Sequence, residues 1–185
     1  MRHCKVITHA GRGFAAAVVL AGGLAIAGAA NATDITPDFG DIPAGWTADR
    51  YAPDSFSNVG SFAGRDDVLG IGISSADGLG NRTAGKNTTH FNTQGMKHAI
   101  SGGAGDIISA DLYIPTSWAD EANGSVRTDL WGVMDDGTTV SGYPILGFTN
   151  YSATGDGTGR FRAWEDTSGA WVDLGVSVNY DDWNT

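Results

Sequence analysis

The chain has 185 residues, 41% of them hydrophobic, and 11 Lys and Arg against 21 Asp and Glu, a formal net charge of −10. So acidic a chain argues against nucleic acid and anionic membrane surfaces as partners, because both require a basic face; neutral polysaccharide and calcium remain compatible with it. A single cysteine, Cys4, rules out an intrachain disulfide framework.

Residues 1–32 read as an export signal. Arg2, Lys5 and Arg12 give a positive start, 14–30 is an apolar run that ends in small residues, and Ala30-Asn31-Ala32 fits an A-x-A cleavage site, with Ala27-Gly28-Ala29 as the competing one. The run is short for a bilayer span, which takes about 20 apolar residues. The mature chain is therefore expected to be secreted or held at the cell surface, without membrane insertion. Cleavage after Ala32 removes Cys4 and leaves 153 residues with eight Lys and Arg against all 21 acids, a net charge of −13. That length suffices for one domain that buries roughly 70% of its unfolded surface without covalent staples. Glu121 and Glu165 are the only glutamates among the 21 acids, and 23 of the mature residues are glycine. Asp and Gly favour turns where Glu favours helix, so the composition points to many turns and few helices.

Residues 33–45, with Pro37 and Pro43, read as an extended lead, and 46–185 as a single all-β domain. Strands are expected over 68–74, 97–101, 107–114, 126–134, 143–149, 160–165 and 170–178, separated by Gly, Asp, Asn and Ser, the spacing of a sandwich or barrel. In "LGIGIS", Gly70 and Gly72 share one strand face, which suggests the close approach of a neighbouring element or a ligand. In "IISADLYI", Ile108, Ala110, Leu112 and Ile114 alternate with Ser109, Asp111 and Tyr113, as a half-buried antiparallel strand requires. "SWADEANG" is the one helix-like piece, with Ser117 as cap and Gly124 as stop.

The stretch "RFRAWEDTSGAWVDLG" crowds two tryptophans, two arginines and three carboxylates into 160–175. With Asp166-Thr-Ser-Gly169 as the turn, Glu165 faces Ala170, Trp164 faces Trp171, Ala163 faces Val172, Arg162 faces Asp173 and Phe161 faces Leu174. Alternation then assigns Phe161, Ala163, Val172 and Leu174 to a core face. Arg162, Asp173, Trp164 and Trp171 fall on a partly wet face where a sugar ring could stack. A glycosidase would need two carboxyls about 5 to 10 Å apart across a sugar, one with a raised pKa, and this register puts Glu165 and Asp173 on opposite faces. Calcium is the one cofactor suggested, with none required: Asp135, Asp136 and Asp156, in "DDGT" and "GDGTG", offer oxygen ligands, although both motifs are also ordinary turns. "DGLGN" at 77–81 and "GGAGD" at 102–106 read the same way. His90 and His98, without cysteines or a third histidine, make a poor transition-metal site. Neither a Gly-x-Ser-x-Gly elbow nor a phosphate loop is present.

The ordered set "DRYAPDSF", "GRDDVLGIGIS", "FNTQGMKHAI", "SADLYIP", "LWGVM", "GYPILGFTN", "RFRAWEDTSGAWVDLG" and "YDDW" resembles exported bacterial proteins with a concanavalin A-like, laminin G-like jelly roll. The resemblance implies an antiparallel two-sheet sandwich. It also implies that Trp183 opens a further strand and that the chain is truncated before the sandwich closes. The family includes lectins, glucanases, polysaccharide lyases and adhesion modules, so the fold leaves function to the site. The leading expectation is a non-catalytic extracellular module that binds a polysaccharide or glycan surface or mediates adhesion. A polysaccharide-active enzyme and a purely structural surface protein are the alternatives.

Overall fold

The computed structural model describes residues 6–7, 34–35, 45–50, 52–73, 94–100, 107–152 and 156–185. Most of the signal-like segment and of the 33–45 lead lies outside these, as do His90 and the 77–81 and 102–106 motifs. The described residues are mostly β-strand in several antiparallel sheets, none of them closed, with two short 3-10 turns as the helical content. No helix among them is long and apolar enough to cross a membrane. The chain divides into two compact units, Met1–Ile107 and Ile108–Thr185.

In the first unit the strands are β1 (Val6–Ile7), β2 (Asp34–Ile35), β3 (Trp46–Arg50), β4 (Ser55–Asn58), β5 (Leu69–Gly72) and β6 (Gln94–His98); β1 pairs with β2, β3 with β6 and β4 with β5. Trp46 lies opposite His98 and packs its ring 5.1 Å from Phe56 and 5.5 Å from the His98 imidazole. Phe56 is buried there. The β4–β5 hairpin narrows to a two-residue turn, Ala63-Gly64, with φ of 49° and 76°, and Phe62 and Arg65 exchange backbone hydrogen bonds across it. Two positive φ values match the right-handed twist of the flanking strands. The glycine face of β5 has a definite visitor: a Cβ on Gly70 would strike the Val59 side chain, and one on Gly72 the Ser55 hydroxyl. The neighbouring strand and its extension fill that face.

The second unit contains β7 (Leu112–Ile114), β8 (Arg127–Trp131), β9 (Met134–Asp135), β10 (Val140–Gly142), β11 (Ile145–Thr149), β12 (Arg160–Glu165), β13 (Ala170–Asp173) and β14 (Asp182–Asn184). Its main sheet runs β13-β12-β11-β8, while β14 pairs with β7 and β10 with β9. Trp183 does enter a strand, opposite Tyr113, with the two rings edge to face at 5.6 Å. Phe148 and Ile114 are fully buried; Phe148 stacks on Trp118 at 6.1 Å and meets Phe161 edge-on at 5.9 Å.

"SWADEANG" forms two 3-10 turns, Thr116–Trp118 and Glu121–Asn123, in place of one capped helix. Ser117 lies inside the first turn. Asp120 is the cap, accepting from the Ala122 N–H at 2.7 Å, and Gly124 ends the second turn at φ 124°. Asn150, also fully buried, ties this connection to the sheet: its Oδ1 accepts from the Val126 N–H at 2.7 Å, and its Nδ2 donates to the Gly124 carbonyl at 3.0 Å and the Trp118 carbonyl at 3.2 Å.

Several strand boundaries differ from expectation for local reasons. The 126–134 run breaks at Gly132 into β8 and β9, and the expected 170–178 strand stops at Asp173. There the Asp173 carboxylate accepts from the Gly175 N–H at 3.1 Å, and Gly175 turns the chain at φ 62°. β6 lies a few residues before the expected 97–101.

Candidate functional site

The β12–β13 hairpin adopts the register read from the sequence: Arg162 opposite Asp173, Ala163 opposite Val172, Trp164 opposite Trp171, Glu165 opposite Ala170. Its four-residue turn closes through the Gly169 N–H on the Glu165 carbonyl at 2.9 Å, with Gly169 at φ 62°, a conformation that glycine adopts without steric cost. The Glu165 carboxylate accepts from the N–H groups of Ser168 at 2.7 Å and Thr167 at 2.9 Å. Asp166 reaches across to the Tyr143 N–H at 3.1 Å.

Because side chains alternate along a strand, the registers of β8, β11, β12 and β13 sort the sheet into two faces. One face has three rows. The first, nearest the hairpin turn, holds Trp171, Trp164, Ile145 and Trp131 side by side. The second holds Asp173, Arg162, Gly147 and Asp129, and the third Arg160, Thr149 and Arg127. Trp164 and Trp171 meet edge to face at 5.5 Å, and Tyr143 stacks on Trp131 at 6.5 Å with an interplanar angle of 16°. The Trp171 ring leans out of its row over the arginines: its centroid lies 3.7 Å from the Arg162 guanidinium carbon and 5.3 Å from that of Arg127, both within cation–π range.

Two expectations about this hairpin are corrected. Arg162 is not on a wet surface; it is 3% exposed, beneath Trp171 and 3.7 Å from the buried Asp129 carboxylate. Gly147 makes the room, since a Cβ there would collide with that carboxylate and with the Thr128 carbonyl. Asp173, although opposite Arg162, has its ion pair with Arg160 at 3.7 Å, and its side chain is 58% exposed. Conversely, Val172 and Leu174, assigned to the core, are 46% and 40% exposed. The buried part of their face centres on Phe148, on the inner strand β11, against which Trp118 stacks, whereas β13 is an edge strand. Trp164 and Trp171 are half-buried, so the aromatic half of the expected site is a surface and its cationic half an interior.

Burial lowers the Arg162 pKa to about 10, against the pull of Asp129; the charges of Arg127 and Arg160 lower it further. Trp131 and Tyr143 belong to the same aromatic row and were not singled out from sequence. A tryptophan inside one expected strand, 126–134, and a tyrosine opening another, 143–149, were the signal for them.

Asp135, Asp136 and Asp156 are not brought together, and among the described residues no group of three His, Cys, Asp or Glu is placed to hold a metal. Asp135 and Asp136 both serve the turn between β9 and β10, and Asp156 serves the one before β12. Asp135 accepts from the Gly137 N–H at 2.8 Å, and Asp136 from the Thr138 hydroxyl at 2.7 Å and the Thr139 and Thr138 N–H groups at 2.8 and 2.9 Å. Asp156 accepts from the Thr158 hydroxyl at 2.6 Å and its N–H at 2.9 Å. His98 directs Nδ1 to the Ala99 carbonyl at 2.8 Å.

These turn bonds set a pH dependence. Ser168 first and Thr167 second hold the Glu165 carboxyl down to about 2 from 4.5, and Thr138 and Thr139 hold Asp136 down to about 2 from 3.8. A depressed folded pKa stabilises the fold fully above the unfolded value, and the contribution is lost as pH falls through the folded value. The melting temperature is therefore expected to be flat above about pH 5 and to fall between about pH 4.5 and 2. A Glu165→Gln/Asp136→Asn variant should show a shallower acid slope by circular dichroism; an unchanged slope would show that these turns do not set it.

No family model, curated protein or solved structure matches the chain.

Proposed function

We propose that the chain is an exported, non-catalytic module that binds a polysaccharide or adheres to a glycan surface, carried on a concanavalin A-like jelly-roll framework. The observation that carries the reading is the aromatic row. Trp171, Trp164 and Trp131 come from three of four neighbouring strands, with Tyr143 stacked on the last. Three strand spacings give the row a width of about 14 Å. Trp and Tyr rings present an apolar body with a polar edge, suited to the C–H face of a sugar whose hydroxyls stay wet. Tyr143 is 41% exposed, and the three tryptophans are half-buried, which leaves the rings fixed by packing yet reachable.

A hydrolytic role for the same stretch has less support. Glu165 points to the face opposite Asp173, and its carboxyl is held below the usual range, whereas a general acid needs the reverse.

The full chain should retard on affinity gels containing its polysaccharide. A Trp164→Ala/Trp171→Ala variant should lose on the order of 100-fold in affinity, as for a pair of aromatic hot spots. Tyr143→Ala tests the same row at a residue that does not cover Arg162, and a loss of several-fold is expected. A panel of polysaccharides in which none binds the wild-type chain would leave a purely structural surface role; product release abolished by Glu165→Gln would establish an enzyme.

A further inference from the structure

The second unit, Ile108–Thr185, contains twelve Asp and Glu but three basic residues, Arg127, Arg160 and Arg162. All three fall on the face that carries the tryptophan row, and only Asp129 and Asp173 accompany them there. A strongly acidic unit thus concentrates its entire positive charge on one side of one sheet, where three guanidiniums outnumber two carboxylates. Placed that close, the cations oppose one another, and the depressed Arg162 pKa carries contributions from both neighbours. An arriving anion relieves this repulsion, whereas a neutral ligand does not.

The three arginines are not equally available. Arg160 donates to the Thr158 carbonyl at 3.0 Å and the Tyr151 carbonyl at 3.1 Å, with its side chain 11% exposed. Arg162 is buried under Trp171. Arg127 is the most exposed, at 26%; its Nε donates to Asp129 at 2.7 Å, which fixes the plane of the guanidinium. The Trp171 ring stands 5.3 Å from it, so a sugar lying on Trp171 has Arg127 beside it.

We propose that the ligand of this face is an anionic polysaccharide, whose sugar rings stack on the aromatic row while an acid group meets Arg127. The inference rests on the glycan-binding reading above. Carboxylate and sulfate ester share the chemistry that Arg127 recognises, as both accept charge-assisted hydrogen bonds from a guanidinium.

The test uses the full chain with polygalacturonate, the same polymer fully methyl-esterified, dextran sulfate and unsulfated dextran. Binding to at least one charged polymer should exceed that to its uncharged counterpart by about tenfold or more, the scale of one charge-assisted hydrogen bond. It should weaken as NaCl is raised from 20 to ~300 mM, because salt screens exposed charge. Arg127→Gln should bring the charged and uncharged polymers to the same affinity. Preference for polygalacturonate identifies a carboxylate ligand, and preference for dextran sulfate a sulfate ester. Equal, salt-insensitive binding of charged and uncharged polymers would overturn the inference and leave the glycan reading standing. Absence of binding to all four, and to a neutral glycan array, would remove both. Because the polymer comparison needs no mutation, it decides the question even where Arg127→Gln unfolds.

Discussion

Replacing Asp129 with alanine is expected to destabilise the second unit by about 3–5 kcal/mol, the range measured when one member of a buried ion pair is removed. The Asp129 side chain is 4% exposed, with Oδ2 on Arg127 and Oδ1 3.7 Å from Arg162. It is the one buried carboxylate on a face that also holds three guanidiniums. Without it, Arg162 keeps the cost of desolvation and the repulsion of two cations, and the attraction that opposed them is gone. The companion variant Asp129→Leu/Arg162→Met should recover most of the loss, since replacing a whole buried pair with apolar residues is often neutral or better. Urea unfolding followed by tryptophan fluorescence measures both. A loss below about 1 kcal/mol for Asp129→Ala would show that this pair does not hold the sheet face.

The second large effect is expected at Asn150. Changing it to leucine keeps the volume approximately but strands the Val126 N–H and the Trp118 and Gly124 carbonyls, all now satisfied by one fully buried amide. An unmade buried hydrogen bond costs about 1–3 kcal/mol, and relaxation of the connection should keep the sum at roughly 3–6 kcal/mol. A unit the length of Ile108–Thr185 moves its midpoint by about 4–8 °C per kcal/mol, so a thermal melt resolves the change easily. Hydrogen exchange should locate it at the 116–124 connection. A melt within about 3 °C of wild type would mean that water takes over the three bonds.

Neither residue stood out in the sequence, and the reason is physical. The 160–174 hairpin was legible because everything needed is local: a turn of Asp, Thr, Ser and Gly fixes the register, and the register fixes which side chains are neighbours. Which face becomes the interior is not local information. Trp164 and Trp171 on one side and Val172 and Leu174 on the other are all apolar, so alternation separates two faces without ranking them. Arg162 reads as solvent-facing until Gly147, on the next strand, is seen to vacate the space that seats it beside Asp129. The turn aspartates were ambiguous between metal ligand and turn acceptor, and what the sequence could not tell is that no third His, Cys, Asp or Glu joins Asp135 and Asp136 among the described residues. β3 escaped notice because "WTADR" has little apolar alternation, and its partner β6 lies more than forty residues away.

The pairing of β7 with β14 orders events in time. Thr116 and Asp181, 65 residues apart, are joined by two hydrogen bonds, and Thr185 bonds Asp111 across 74. The β12–β13 hairpin closes over four residues and can form within microseconds. The long closure is entropically later, so a ribosome releasing this chain makes the aromatic hairpin well before the strand that completes β7. For that interval Ile114, fully buried in the finished unit, lies on a strand that still lacks its partner.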